Sequence, residues 1–421
     1  MYDPSTGPLS VRAPEEPGPY HDNSMTSTST FIGVMGSELI GTDPYDENAW
    51  SGISRHFFTE CSAQGILHRA FGVEVNRVLR AALMLRNFSP ERDVWRRKFY
   101  LDTTYYDLLS RKIARNLSAS DRHYDVLQIG GIYRLRPMLA PGRRLFSYHD
   151  ANLAQAMRAP HFTKDLTQKR LSRALGYERS VYESIDIIFT MSDYLASTFV
   201  ECFGVEARRV RTIGAGINLD ALPAAAPNKE YGSKKLLFVG VDFKRKGGVQ
   251  LLQAFQTVRR AHPTAELYVV GPRALTIPGE LSPGVVSVGF LSKRNPAHMQ
   301  RFARILAASS LFVMPSLYEP FGIAPLEAMA HSIPAVLTND WAFPEMVTPG
   351  INGELVKAGD TEDLANKLIA LLCDPDKLRA MGAAGRALVA DRFTWPAVVG
   401  RLRNELMRSQ QPALDEPVSV R

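Results

Sequence analysis

The stretch LYEPFGIAPLEAMAHSIPAV (317–336) places two carboxylates, Glu319 and Glu327, eight positions apart. Between them stand Pro320, Gly322 and Pro325. Pro320 donates no backbone hydrogen bond, and Gly322 permits an unusual backbone angle. A helical pattern resumes at Ile323 and Ala324, with Pro325 in the first turn, where a missing N–H costs little. The free N–H groups of about residues 322–325, next to Phe321, then form an anion site suited to a phosphate. Glu319 lies on the loop before this helix. Glu327 lies about a turn inside it, shaped to accept from two adjacent hydroxyls, as on a ribose or a hexose.

A second loop complements the first. LLFVGVDFKRKGG (236–248) ends a strand at Gly240, turns through Lys244, Arg245 and Lys246, and opens a helix with Gly247-Gly248. Cations at a glycine-opened helix start neutralise a diphosphate. A basic turn alone is more often merely solvated, but two such loops in one half of the chain point together to a diphosphate. In the other half, Trp50-Ser51-Gly52 precede a helix, with Ser51 as its expected N-cap and Gly52 open to close ligand approach; simple capping is the competing reading. His149-Asp150, Met191-Ser192-Asp193 and Gly214-Ala215-Gly216 end strands, where they either border a cleft or only turn the chain.

Elements that position these loops recur along the chain. Short apolar, β-branched runs predict strands at 30–35, 124–130, 144–149, 186–192 and 210–216, then at 235–240, 266–271, 285–290, 311–316, 334–338 and 353–357. Helical patterns predict helices at 52–64, 95–117 and 164–184, then at 247–261, 297–308, 323–331, 361–373 and 376–391. Near-continuous apolar strands alternating with helices predict an α/β protein: parallel sheets covered on both faces, built by right-handed crossovers into doubly wound domains. The Ala/Pro-rich, then polar segment around 218–235 reads as a linker between two domains. Such domains bind ligands at the carboxyl ends of their strands.

Length supports two domains, since 421 residues exceed one ordinary core. The Pro/Ser/Thr-rich residues 1–29 lack a signal peptide's basic start and apolar stretch and read as a disordered tail, as do residues 411–421. No apolar run is long enough for a membrane helix. Cys61, Cys202 and Cys373 form no C-x-x-C pattern, which argues against a disulfide framework or a zinc site and fits a cytoplasmic setting. A net charge of +7 is modest at this length and does not indicate nucleic acid. It is uneven, however: residues 77–99 concentrate arginines among apolar residues. That segment faces anionic lipid or a phosphorylated acceptor in one reading, and is the solvated face of ordinary helices in the other.

E-P-F-G-I-A-P-L-E resembles the E-x7-E motif of retaining glycosyltransferases of family 4, which have the GT-B fold. W-S-G (50–52), Y-H-D (148–150), G-A-G-I-N (214–218), F-V-G-V-D-F-K-R-K-G-G (238–248), V-G-F-L (288–291) and D-P-D-K-L-R-A-M-G-A-A-G-R (374–386) add to the likeness. The resemblance implies two Rossmann-like domains facing a central cleft. Residues 30–220 would hold the acceptor, 221–233 link the domains, 234–392 hold a nucleotide-sugar donor, and a helix within 393–410 cross back onto the first domain. Residue by residue, it implies that Glu319 contacts the donor sugar and Glu327 the ribose. Arg245 and Lys246 neutralise the diphosphate, Phe290-Leu291 reads the base, His149 sits near the donor sugar, and Gly52 lies beside the phosphates. Val241 departs from the pattern, for many members carry arginine there.

The implied activity is retaining, metal-independent transfer of a sugar, expected to be a hexose, to a hydroxyl acceptor in bacterial polysaccharide, lipopolysaccharide or glycolipid synthesis. No cofactor is expected beyond the donor. The expected location is the cytoplasm, peripheral at the inner face of the membrane if 77–99 meets lipid. An inactive nucleotide-sugar-binding protein and a nucleotide-sugar epimerase are the alternatives. Asp374-Pro375-Asp376 is formally a D-x-D pattern but reads as a helix cap.

Overall fold

The computed structural model describes residues 30–409 apart from 37–41, 118–120, 122, 160 and 226–227. The expected terminal tails lie outside the described residues. In chain order, the first part contains β1 (Phe31–Gly36), α1 (Ile53–Ala63), β2 (Leu67–Val73), α2 (Arg77–Arg86), α3 (Arg92–Tyr100), α4 (Thr103–Asn116), β3 (Asp125–Ile129), β4 (Leu145–His149), α5 (Leu153–Met157), α6 (Gln168–Glu183), β5 (Ile187–Thr190), α7 (Asp193–Phe203) and β6 (Val210–Thr212). The second contains β7 (Lys235–Val239), α8 (Gly248–Ala261), β8 (Glu266–Val270), β9 (Val285–Gly289), α9 (Pro296–Ala308), β10 (Leu311–Met314), α10 (Ile323–Ala330), β11 (Ala335–Thr338), β12 (Gly353–Val356), α11 (Thr361–Leu372), α12 (Pro375–Arg392) and α13 (Trp395–Arg408).

Two parallel six-stranded sheets result, ordered β2-β1-β3-β4-β5-β6 and β12-β11-β10-β7-β8-β9. The central strands are buried on both faces, as their unbroken apolar runs require. The strand order reverses beside β7 and β10, so the loops after those two strands flank the switch point where such sheets bind ligands. Those loops are 240–247 and 315–322, the two that the sequence singles out.

The helices α2 and α5 have no counterpart among the expected helices, and three further differences have a physical reason. β2 (LHRAFGV) is an edge strand of mixed polarity and half-burial, which a search for continuous apolar runs passes over. The single helix expected at 95–117 is two helices, because the Asp102 carboxylate caps α4 by accepting from Thr104 N at 3.1 Å. The same carboxylate takes Arg86 and the Asn87 amide, which fixes the break. Helix α7 was read only as the strand-end turn Met191-Ser192-Asp193; Ser192 is its N-cap.

The two sheets meet through specific contacts. Phe57 of α1 lies 5.9 Å from Trp395 of α13, and Glu405 pairs with Arg211 at 3.2 Å, so the last helix packs on the first domain. Glu345, in the turn after β11, caps α7 from across the interface, accepting from Asp193 N at 2.9 Å and Tyr194 N at 2.7 Å. Arg294 reaches Asp46 at 3.0 Å on the other side of the cleft.

Candidate active site

Between the sheets lies a cavity of about 610 Å³, bordered by Trp50, Asp150, Arg245, Lys246, Glu319 and the start of α10. Gly322, at φ +98°, is the N-cap of α10 and offers no side chain of its own. A Cβ there would lie 2.6 Å from Phe343 Cε1, so glycine is required for position as well as for angle. Ile323 and Ala324, which carry the first N–H groups of the helix, both border the cavity. Phe321 borders it too, but its ring is buried toward Phe393 at 6.4 Å.

The basic turn and the glutamate loop are sewn together. Arg245 Nη1 donates to Tyr318 O at 2.8 Å, and Leu317 N donates back to Arg245 O at 2.9 Å. Lys246 Nζ donates to Glu319 Oε2 at 2.6 Å, with Arg245 Nη1 3.5 Å from the same oxygen. Glu319 is only 7 % exposed, so both cations and the carboxylate are held in a poorly hydrated place, where charge counts most. Val241 borders the cavity with an exposed, neutral side chain, and the guanidinium that this loop brings to the cavity is that of Arg245.

Glu327 stands further along, at the junction with a neighbouring cavity of about 450 Å³ that Gly52 borders. Burial pushes its carboxyl above the usual range, while Lys293, 3.6 Å away, opposes that shift. Gly52 thus lies on the Glu327 side rather than with Arg245 and Lys246; its neighbours Trp50 and Ser51 border the larger cavity. Trp50, Ser51 and Gly52 are all left-handed, at φ +48°, +59° and +89°. Ser51 is accordingly not the cap of α1: Gly52 holds that place, and the Ser51 carbonyl accepts from Asn218 Nδ2 at 2.9 Å.

Two assignments need correction. His149 does not reach the cleft. Its ring is 1 % exposed and packs edge-on to Tyr182 at 5.6 Å and beside Phe199 at 5.5 Å. Burial pulls its pKa down to about 3, so it is neutral at ordinary pH. Asp150, the next residue, borders the cavity instead. Phe290 and Leu291 border neither cavity; Phe290 stacks beneath Arg273 at 4.1 Å, and Leu291 packs half-buried on the core. In the D-x-D pattern, Asp374 caps α12 by accepting from Lys377 N at 2.9 Å, and Asp376 lies on its exposed first turn. Lys293, Asn218 and Arg96 also border the cavity; Asn218 closes the G-A-G-I-N run and Arg96 belongs to the basic segment 77–99, whereas no sequence signal marks Lys293.

Burial raises the Asp150 pKa to about 6, against the Trp50 side chain, which hydrogen-bonds the ionised form. A folded-state pKa above the ordinary value means that stability is fully present below about pH 4 and is lost as pH rises through about 6. Asp150→Asn is therefore expected to stabilise the fold at pH 7.5, by on the order of 2 kcal/mol, and to be nearly neutral at pH 4. Urea midpoints at the two pH values check this, and an equal difference at both would count against it.

The family model described as glycosyl transferases group 1 matches residues 224–388. A GDP-mannose-dependent monoacylated alpha-(1-6)-phosphatidylinositol monomannoside mannosyltransferase of Corynebacterium glutamicum is 31% identical over 247 residues, covering 54% of this chain and 64% of that one. A D-inositol 3-phosphate glycosyltransferase of Segniliparus rotundus is 28% identical, covering 60% and 59%. In both cases the match spans less than two thirds of the relative. The solved sucrose-phosphate synthase of Thermosynechococcus elongatus superposes over 90% of this chain and all of its own, with a TM-score of 0.65 at 18% identity, which establishes the GT-B fold.

Proposed function

We infer, for a chain whose residues 224–388 belong to the glycosyl transferases group 1 family, that it moves a sugar from a nucleoside-diphosphate sugar to an acceptor hydroxyl with retention of configuration. The observation that carries this is the joining of Lys246 and Arg245 to Glu319 beside the Gly322 start of α10. Breaking the bond from sugar C1 to phosphate leaves positive charge on the ring and negative charge on the diphosphate. The helix N–H groups and both cations stabilise that leaving group. Glu319 orients the donor sugar, and Glu327 accepts from the ribose hydroxyls. The acceptor oxygen bonds to C1 on the face the phosphate leaves, and its proton passes to the departing phosphate oxygen. The relatives' names, a mannosyltransferase and an inositol phosphate glycosyltransferase, favour a hexose donor and a glycolipid or polyol acceptor.

A thermal-shift panel of nucleoside diphosphates and their sugars tests the reading. The cognate ligand at about 100 times its Kd stabilises by about 2.7 kcal/mol; silence from every nucleotide would overturn the proposal. The product's anomeric configuration, read by NMR, must match the donor's. With cations and helix N–H groups neutralising the diphosphate, transfer is expected to persist in EDTA. Activity lost there and restored by Mg²⁺ or Mn²⁺ would sink the metal-free assignment.

We propose α2 as the element that would meet a membrane. Val78 and Leu85 are 77% and 75% exposed on that helix, Phe88 is 60% exposed just after it, and Arg77 and Arg80 stand among them. Arg97 is committed elsewhere, donating to the carbonyls of His161, Phe162 and Lys164. No helix among the described residues is long and apolar enough to cross a membrane, so the contact would be interfacial. Leu85→Asp with Phe88→Asp is expected to lower binding to anionic vesicles by about tenfold or more, at a cost of ~1 kcal/mol or above per side chain. Unchanged sedimentation with vesicles would remove the idea.

A further inference from the structure

The charges around the larger cavity sort themselves. Arg245 pairs with Asp242 at 3.3 Å, Lys246 with Glu319 at 2.6 Å, and Lys293 with Glu327 at 3.6 Å. Among the described residues, Arg96 and Asp150 are the charged groups bordering the cavity that have no ion-pair partner. Both come from the first domain, opposite the loops that form the diphosphate site.

Arg96 is placed there by its helix. Val94 and Phe99 are buried, Trp95 Nε1 donates to Met84 O at 2.8 Å, and Arg97 is tied to the 161–164 loop. With those neighbours fixed, α3 cannot roll, and Arg96 is carried on the side that opens to the cavity. Asp150 follows directly on β4. An arginine keeps its charge at any working pH and offers a planar fork of donors that matches a phosphate. The donor's diphosphate already has Arg245, Lys246 and the α10 start on its own side.

We propose that the acceptor carries a phosphate ester, held by Arg96, and presents its reacting hydroxyl beside Asp150. This rests on the glycosyltransferase reading and specifies the acceptor class. A free phosphorylated polyol and a lipid headgroup share that chemistry.

The full chain, saturated with the nucleoside diphosphate found by the panel, is titrated with glycerol 3-phosphate and with glycerol. In a second arm it meets vesicles of phosphatidylcholine with or without phosphatidic acid. The phosphate form binds and its uncharged counterpart does not. Arg96→Gln weakens that binding about tenfold or more and leaves nucleotide affinity within about twofold, and Arg96→Lys recovers part of the loss. A loss confined to the vesicle arm identifies a lipid acceptor, and one in the glycerol 3-phosphate arm a free ester. Arg173→Gln is the control for place, since Arg173 borders a separate basic cavity of about 350 Å³ with Lys169 and Arg170. The proposal is overturned if glycerol binds as well as its phosphate, if Arg173→Gln takes the loss, or if Arg96→Gln weakens the nucleotide instead. Should no nucleotide bind, the transferase reading fails by itself, and the phosphate titration is still decided on the free chain.

Discussion

Glu319→Gln is expected to lower sugar transfer by about 10²–10³-fold while leaving nucleotide affinity unchanged or tighter. The carboxylate is 7 % exposed and is met by Lys246 at 2.6 Å and Arg245 at 3.5 Å. An amide keeps the shape and removes the charge. Lys246 is then left beside the helix start without its counter-ion, and Arg245 keeps only Asp242, which makes the site more welcoming to a diphosphate. The donor sugar, however, loses the group that orients it and faces its developing positive charge. The predicted signature is thus a split: kcat falls, and the Kd for nucleoside diphosphate does not rise. A variant that transfers within threefold of the wild type, or that loses nucleotide affinity in step with turnover, would remove Glu319 from its assigned role.

The second large effect is structural and reaches the site through one backbone position. Gly247, at φ +73°, caps α8, and a Cβ there would lie 1.9 Å from the Pro315 carbonyl oxygen. That contact is with backbone at the end of β10, so no side chain can yield. Gly247→Ala must separate the 241–247 turn from the 315–319 loop, the two segments whose union sets Lys246 on Glu319. A stability loss of about 3 kcal/mol or more is expected, combining left-handed strain with the clash, together with a clear loss of nucleotide affinity. Gly359→Ala is the matched control: its φ is +77°, and nothing lies within 4 Å of the added atom. It should cost only the left-handed preference, about 1–2 kcal/mol. Equal urea midpoints for the two variants would show that the close approach to Pro315 is not as described.

Each of the strands expected from sequence lies in one of the two sheets; the central ones, buried on both faces, must be apolar throughout and so announce themselves. β2 escaped as a half-buried edge, and the break at Asp102 escaped because nothing local distinguishes a buried cap from a polar residue on a continuous helix. The helix start within 317–327 was equally legible, since a proline, a glycine and a helix cap act through neighbours in the chain.

Sequence alone determined the α/β class and the loops that flank the switch point. Both follow from local periodicity and helix-end chemistry. Tertiary structure decided which side chains meet. Lys246 and Glu319 are 73 residues apart, and only the adjacency of β7 and β10 brings them to 2.6 Å. It also decided between His149 and Asp150. A strand covered on both faces has no polar alternation to reveal which way a given residue points, and one step along the chain reverses the side. His149 consequently lies in an aromatic core, and Asp150 faces the cleft.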